Sequence, residues 1–440
     1  MNGIFITLYI IMTIASVVTL IKNKYKWSLL FFLIFATKGM SFLPEEVGFI
    51  KASYITFLYC ILFFLKNRSF ILVRFYKGIG IPLKRLLVFF SVSVFFSIAY
   101  YQLSPIQTII VGSRYLILAA VLFFEILSFN DKLWLLRTIF YLTLVLSILY
   151  VIQSFTGIEI LQMTNDDGGF DAQGFYHGTI LPPFAQILIF VSLFDRQFLN
   201  KRLRIVGAGI FLLAVICTMY RTLLTTTFLT ILIIMLFNKS FKRNMIIVAI
   251  VGFLLITFQE QFSTRANKDG KTKEDIELLL EGKFEAADYQ SQNGLTMLYR
   301  FALLKERLDY VVDKPLEAIF GLGLTVDNKW AYNQYHFRYG IISENGQPSQ
   351  LRSPDIDWVN FLCNYGILGT FLFFAFYFKI IKTLKYCKQY SQFANILFFY
   401  CLLIMITTFS GNVLSEPYGL IPFFLIYSIA VDKKALVLNK

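Results

Sequence analysis

Long apolar runs recur along this chain at 3–21, 27–44, 48–65, 85–103, 106–128, 133–154, 179–195, 204–220, 222–237, 245–259, 357–378, 393–409 and 418–431. Runs of this kind are long enough to cross a hydrocarbon core of about 30 Å as helices. In hydrocarbon every backbone N–H and C=O needs an internal partner, which leaves helices or closed barrels, and the apolar–polar alternation of barrel strands is absent. The chain therefore reads as an all-α polytopic membrane protein with about 13 transmembrane helices. Only 15% of its 440 residues are charged, against roughly 25% in soluble domains.

Charge then orients the spans. Alternate short loops carry Lys22, Lys24 and Lys26; Lys66, Arg68, Arg74, Lys77, Lys84 and Arg85; Lys132; Arg196, Lys201, Arg202 and Arg204; Lys239, Lys242 and Arg243; Lys379, Lys382, Lys385 and Lys388; and Lys433 and Lys434. The opposite loops hold Glu45, Glu46, Asp166, Asp167, Asp171 and Glu416 instead. The positive-inside rule makes the first set cytoplasmic, with the N-terminus outside and the C-terminus inside. The first apolar run precedes its basic residues, so it reads as a span and not a secretory signal. The net charge of +14 is thus explained by loops on one side of a membrane, and nucleic acid is excluded as a partner.

One segment breaks the pattern. Residues 260–356, between the tenth and eleventh spans, are long, polar and charge-mixed. The organisation is an N-terminal bundle over 1–259 with a smaller outer loop at 155–178, a large outer loop over 260–356, and a C-terminal bundle over 357–440. Within the large loop, 272–287 and 295–312 have helical character, and Met297, Leu298, Phe301, Leu304, Leu308 and Val311 recur at helical spacing. Pro315 stops the second helix, and Gly321 and Gly323 mark a turn.

The five cysteines, Cys60, Cys217, Cys363, Cys387 and Cys401, avoid the large loop and form no CxxC spacing. That excludes a disulfide framework and a zinc signature. With only His177 and His336 as histidines, neither a metal nor a cofactor is expected.

Charges near lipid are costly unless paired or facing water. Lys38 and Arg137 lie near interfaces where they can snorkel, and Glu125 lies near a cytoplasmic span end. Arg114 sits about two turns deep from the outer surface, where pairing with a helix neighbour and ligand binding are both open. Arg221 occupies an outer turn between two spans, with no carboxylate near it in sequence, and is the stronger binding candidate. Arg300 and Arg307 lie on the second loop helix; a solvated face is the plain reading for Arg307. Arginine forks suit phosphate or pyrophosphate oxygens. Asp355 and Asp357 stand just before a span, where each is either a helix cap or a general base toward a sugar hydroxyl. Trp330, Tyr332, Tyr335 and Trp358 could stack on sugar rings, although interfacial aromatics also serve as anchors.

These pieces, in this order, resemble the O-antigen ligase and O-antigen/capsule polymerase superfamily of bacterial inner-membrane proteins. The resemblance rests on DAQGFYHGTILPPFAQ at 171–186, Arg221 in an outer turn, Arg300 on a loop helix, Pro315 followed by Gly321 and Gly323, and Asp355 leading through Phe361 and Leu362 to Gly366 and Gly369. It covers about 170–370. It implies a metal-independent glycosyltransferase whose donor is a glycan on undecaprenyl pyrophosphate at the periplasmic face. Arg221 and Arg300 would hold the pyrophosphate, with Arg114 as a third candidate, and a chain-length regulator protein is an expected partner. Ligases of the superfamily carry a histidine where this chain has Asp355, and His336 is out of register. The expected activity is therefore a repeat-unit polymerase, with Asp355, Asp357 or His336 as base. Ligation to lipid A core or protein is the alternative. A transporter or flippase of lipid-linked sugars is the reading from another class, disfavoured because no internal repeat is visible.

Overall fold

The computed structural model describes residues 2–44, 46–47, 50–158, 160–161, 169–170, 176–177, 181–195, 198–218, 220–236, 277–278, 280–283, 297–325, 329–340, 349–351, 356–409, 411 and 413–432. The described chain is overwhelmingly helical. The N-terminal part runs α1 (Asn2–Ile21), α2 (Tyr25–Ala36), α3 (Ala52–Lys66), α4 (Arg68–Phe75), α5 (Gly80–Ala99), α6 (Pro105–Ser113), α7 (Ala120–Phe123), α8 (Phe129–Thr156), α9 (Ala185–Phe194), α10 (Lys201–Cys217) and α11 (Arg221–Leu236). The loop region supplies α12 (Met297–Val312), α13 (Pro315–Phe320) and α14 (Lys329–Gln334), and the C-terminal part α15 (Asp357–Cys387), α16 (Gln392–Thr407) and α17 (Ile421–Ala430). Extended pairing among the described residues is limited to two-residue antiparallel ladders, Glu46–Val47 with Ile50–Lys51 and Gly169–Phe170 with Tyr176–His177.

Four described helical segments are long and apolar enough to cross a membrane: Gly80–Ala99, Pro105–Ile126, Phe129–Thr156 and Asp357–Cys387. The pair α3 and α4 makes a fifth if taken as one span bent by 91°. Shorter apolar helices fall on six of the remaining expected runs; 204–220 is covered by α10, which is not among them, and 245–259 lies outside the described residues. The figure of thirteen and the place of the loop in that count rest on sequence. Residues 66–84, expected as a cytoplasmic loop, contain helix α4. In α4, Arg68 and Arg74 alternate with exposed Leu72 and Val73, the pattern of a helix lying in an interface.

Local signals explain where helices start and stop. Ser128 caps α8 by accepting the Asp131 N–H at 3.2 Å, and α8 ends at Gly157 with φ 69°. Asn200 caps α10 through the Leu203 N–H, and Ser391 caps α16 through the Ala394 N–H.

Several charges set among the spans are paired. Arg74 meets Glu125 at 3.0 Å, and Arg137 donates to the Phe198 carbonyl at 3.2 Å. Lys132, expected as a loop cation, is buried: its ammonium bonds Asp432 at 2.7 Å and the Ser428 carbonyl at 3.1 Å, joining α8 to the end of α17. All five cysteines are buried free thiols.

Two main cores result. One fills the helical bundle from α1 to α17. The other belongs to the loop region and is built from residues such as Leu298, Leu303, Val311, Leu322, Tyr335 and Phe337, closed underneath by Val359 and Cys363 of α15. Trp358 packs against both.

Candidate functional site

The loop is fastened to the bundle by its glycine turn. Within α15 the backbone breaks at Gly366, with φ 63° and ψ −169°, a conformation that a side chain would strain. Gly321 (φ 74°) lies against the break: a Cβ there would come within 2.4 Å of the Cys363 carbonyl oxygen. The clash is reciprocal, since a Cβ on Gly366 would come within 2.6 Å of the Gly321 nitrogen. The Cys363 carbonyl accepts the Leu322 N–H at 2.7 Å. From the other side, the Tyr101 hydroxyl donates to the Gly321 carbonyl at 2.7 Å, and Ser97 accepts the Leu324 N–H at 3.0 Å. The turn thus threads both cores, with Phe320 and Leu324 packing in the bundle and Leu322 in the loop. The glycines of the motif are there because two backbones touch.

A second fastening starts at Asp357, which is 1% exposed. Its carboxylate accepts the N–H groups of Ser415 at 2.6 Å and Leu414 at 3.1 Å, and its own N–H points to the carbonyls of Thr408 and Gly411. Asp357 therefore binds the α16–α17 connection to the start of α15, instead of capping the free N–H groups of its own helix. One and two turns on, Asn360 donates to Ser415 Oγ at 3.1 Å and Asn364 donates to the Asn360 carbonyl at 2.8 Å. Asp357, Asn360 and Asn364 make a buried polar stripe at the N-terminal end of an apolar helix.

Arg300 is half-buried on α12, beside Phe301, whose ring stacks on Phe409 of the α16–α17 connection at 6.2 Å. Arg307, expected on a solvated face, is 1% exposed. Its guanidinium pairs with Glu306, donates to the carbonyls of Tyr339 and Ser349, and lies 4.1 Å from the Phe337 ring centroid. It is a core strut of the loop. The buried face of α12 is correspondingly turned: Leu298, Tyr299, Ala302, Leu303, Arg307 and Val311 face inward, while Leu308 is 40% exposed.

Tyr335 is buried: its hydroxyl donates to the Leu322 carbonyl at 2.9 Å and its ring stacks on Phe337. Burial raises its pKa above the ordinary tyrosine value, so the hydroxyl stays a donor. Trp358 is half-buried, donating to Thr408 Oγ1 at 2.9 Å and stacking on Phe374. His336, next to Tyr335, is exposed, and Tyr332 is half-buried. Arg114 is half-buried and opens a 3-10 stretch, Arg114–Ala119, between α6 and α7. Arg221 is the first residue of α11 and Trp330 lies within α14. Asp355 lies outside the described residues, as does half of 171–186. From that segment, Gln186 donates to Thr227 of α11 at 3.1 Å and accepts from Tyr400 of α16 at 2.9 Å. This ties the helix that Arg221 opens to two neighbours.

The structure thus brings together Asp357, Trp358, α12 with Arg300, and the α16–α17 connection. Tyr335 and Arg307 belong to the loop core beside them. Sequence reasoning missed Asn360, Asn364 and Ser415 as parts of this assembly. The signal was available: DWVNFLCN places three polar residues at positions 0, 3 and 7 of an otherwise apolar helix.

In comparison with known families, residues 206–374 match the family described as O-Antigen ligase. The match runs from α10 into α15 and includes Arg221, Arg300, Gly321, Gly323, Asp357 and Gly366. It supports the resemblance to the O-antigen polymerase and ligase superfamily. No curated protein matches the chain.

Proposed function

We propose that this chain is a repeat-unit polymerase for O-antigen or a capsule-type polysaccharide, working at the outer face of a bacterial inner membrane. The observation that carries this reading is the family match over the segment whose motif glycines lock an arginine-bearing loop onto the outer end of α15. The donor is a glycan on undecaprenyl pyrophosphate, and the acceptor is a sugar hydroxyl on a second lipid-linked repeat. Arg221 and Arg300, with Arg114 from the bundle side, hold the pyrophosphate and offset the negative charge that grows on it as it leaves, the role fixed positive groups play at a departing phosphate. Asp355 is the base offered by the loop's end. Asp357, with both oxygens engaged by backbone amides, positions the surrounding chain. Trp330 and Trp358 line the sugar path, and Tyr335 holds the loop turn.

The N-terminus faces out and the C-terminus faces the cytoplasm, as the basic loops demand. A chain-length regulator is the expected protein partner. Ligase activity is the second reading, favoured by the description of the matched family and by the exposed His336.

Deleting the gene and resolving the surface glycan on a gel tests the assignment. A single-repeat product on lipid is expected. Full-length glycan left on the polyprenyl carrier would move the assignment to ligase. Repeats retained on the cytoplasmic side would overturn both. In the ligase case His336→Ala stops transfer and Asp355→Ala does not; in the polymerase case the effects reverse.

A further inference from the structure

The connection between α16 and α17 bridges two of the candidate arginines. At one end Phe409 stacks on Phe301, the neighbour of Arg300, and packs at a tilt against Trp358 at 5.6 Å. At the other, the 3-10 turn Pro417–Leu420 lies against the stretch Arg114–Ala119, which Arg114 opens. Between these contacts, Asp357 grips the N–H groups of Leu414 and Ser415. The next residue is Glu416.

Glu416 is half-buried, and its charge reaches both Asp357 and Tyr365. Among the described residues its carboxylate makes no hydrogen bond or ion pair, and the guanidinium of Arg114 makes none either. The contrast with Arg74–Glu125 and Lys132–Asp432, which neutralise one another, is direct. An ionisable group held at the membrane boundary without a partner is expensive, and its natural partner is a substrate. A cation and an anion on touching elements that do not pair with each other fit a substrate with two ends, phosphate for the arginine and hydroxyl for the carboxylate.

We infer that Glu416 is the carboxylate presented to the acceptor sugar, and that Asp357 is the positioning residue that holds it there. The inference rests on the glycosyl-transfer reading above and competes with Asp355 for the role of base. In the step, Glu416 takes the proton of the acceptor hydroxyl as that oxygen bonds to the anomeric carbon of the donor. The bond from that carbon to the pyrophosphate oxygen breaks, and its electron pair leaves with the undecaprenyl pyrophosphate anion.

The test complements the gene deletion with single variants, reads the surface-glycan ladder, and measures transfer in detergent with a lipid-linked repeat as both donor and acceptor. Glu416→Gln, which keeps shape and removes the base, is expected to lower kcat by about 100-fold or more, with KM little changed and the ladder reduced to a single repeat. Gly209→Ala, with open space at its Cβ, is the control and is expected to keep polymer. If Glu416→Gln polymerises normally while Asp355→Asn does not, the inference is overturned and glycosyl transfer stands. If Arg221→Ala and Arg300→Ala also leave the ladder intact, the glycosyl-transfer reading falls with it. Should Glu416→Gln fail to accumulate, Glu416→Asp carries the test: it keeps the charge one methylene short, and wild-type kcat for it would overturn the inference.

Discussion

The bundle core and the loop core solve the same problem by opposite means. In the bundle, helices satisfy their own backbone, so the interior is mainly aliphatic and aromatic, with ring pairs such as Phe63–Phe123 at 4.2 Å and Phe90–Tyr115 at 4.1 Å, and its buried polar groups are mostly hydroxyls. Among the described residues of the loop, α12 is the one helix longer than six residues, and 335–340 and 349–351 form neither helix nor strand. Its backbone polar groups must be met by side chains. Glu306 accepts the N–H groups of Arg338 at 2.7 Å and Tyr339 at 3.2 Å, Arg307 caps two carbonyls, and the Tyr299 hydroxyl both accepts from and donates to Gly340. The bundle is held by shape; the loop is held by a few charge-assisted bonds. Single substitutions should therefore damage the loop far more selectively than the bundle.

The sharpest break is Arg307→Ala. It leaves Glu306 without its buried counter-charge and two carbonyls unpaired, a loss of about 3–5 kcal/mol. The loop should become protease-sensitive and glycan transfer should be lost, while the thermal transition of the bundle in detergent stays within a few degrees. A matching fall of both would erase the distinction between the two cores. Gly321→Ala comes next. A methyl group aimed at the Cys363 carbonyl, on a backbone with positive φ, costs at least about 2 kcal/mol and undocks the loop. Gly209→Ala, with open space at its Cβ, is the control and should leave cleavage kinetics as in wild type.

Asp357→Asn retains one acceptor and places an NH₂ against an amide. About 1–3 kcal/mol is lost, and transfer should slow through misplacement of the α16–α17 connection. Wild-type transfer would mean that the latch is not needed. The smallest effect is with pH. Tyr335 is protonated in the fold above the ordinary tyrosine value of 10.0. Its contribution is complete below the unfolded pKa and is lost as pH rises above it towards the folded one. Loop cleavage should thus be constant from about pH 7 to 9 and accelerate only above about pH 10. Tyr335→Phe should be slightly destabilised at neutral pH and lack this high-pH step.

The same contrast explains what was readable in advance. Apolar runs mark helices because the lipid imposes one solution, and the described helices follow the expected runs closely. The loop obeys no such external rule. Its helix over 295–312 was visible, but the buried face was misjudged, because the periodicity of apolar residues does not register that Arg307 and Tyr299 are interior. Lys132 looked like a lone loop cation because its partner Asp432 is 300 residues away in sequence. The motif glycines were legible as a pattern, while their reason, the touch of Gly321 and Gly366, appears only in three dimensions. Asp357 was weighed as cap or base; its observed bonds to Leu414 and Ser415 join segments far apart in the chain.

The glycine turn also decides what can be transplanted. Phe320, Leu322 and Leu324 interleave two interiors, and Gly321 is cut to the shape of one break in one helix. A graft of 260–356 into a related bundle would carry half of a joint whose other half stays behind. The exchangeable module is the loop together with α15 through Gly369 and the connection through Glu416.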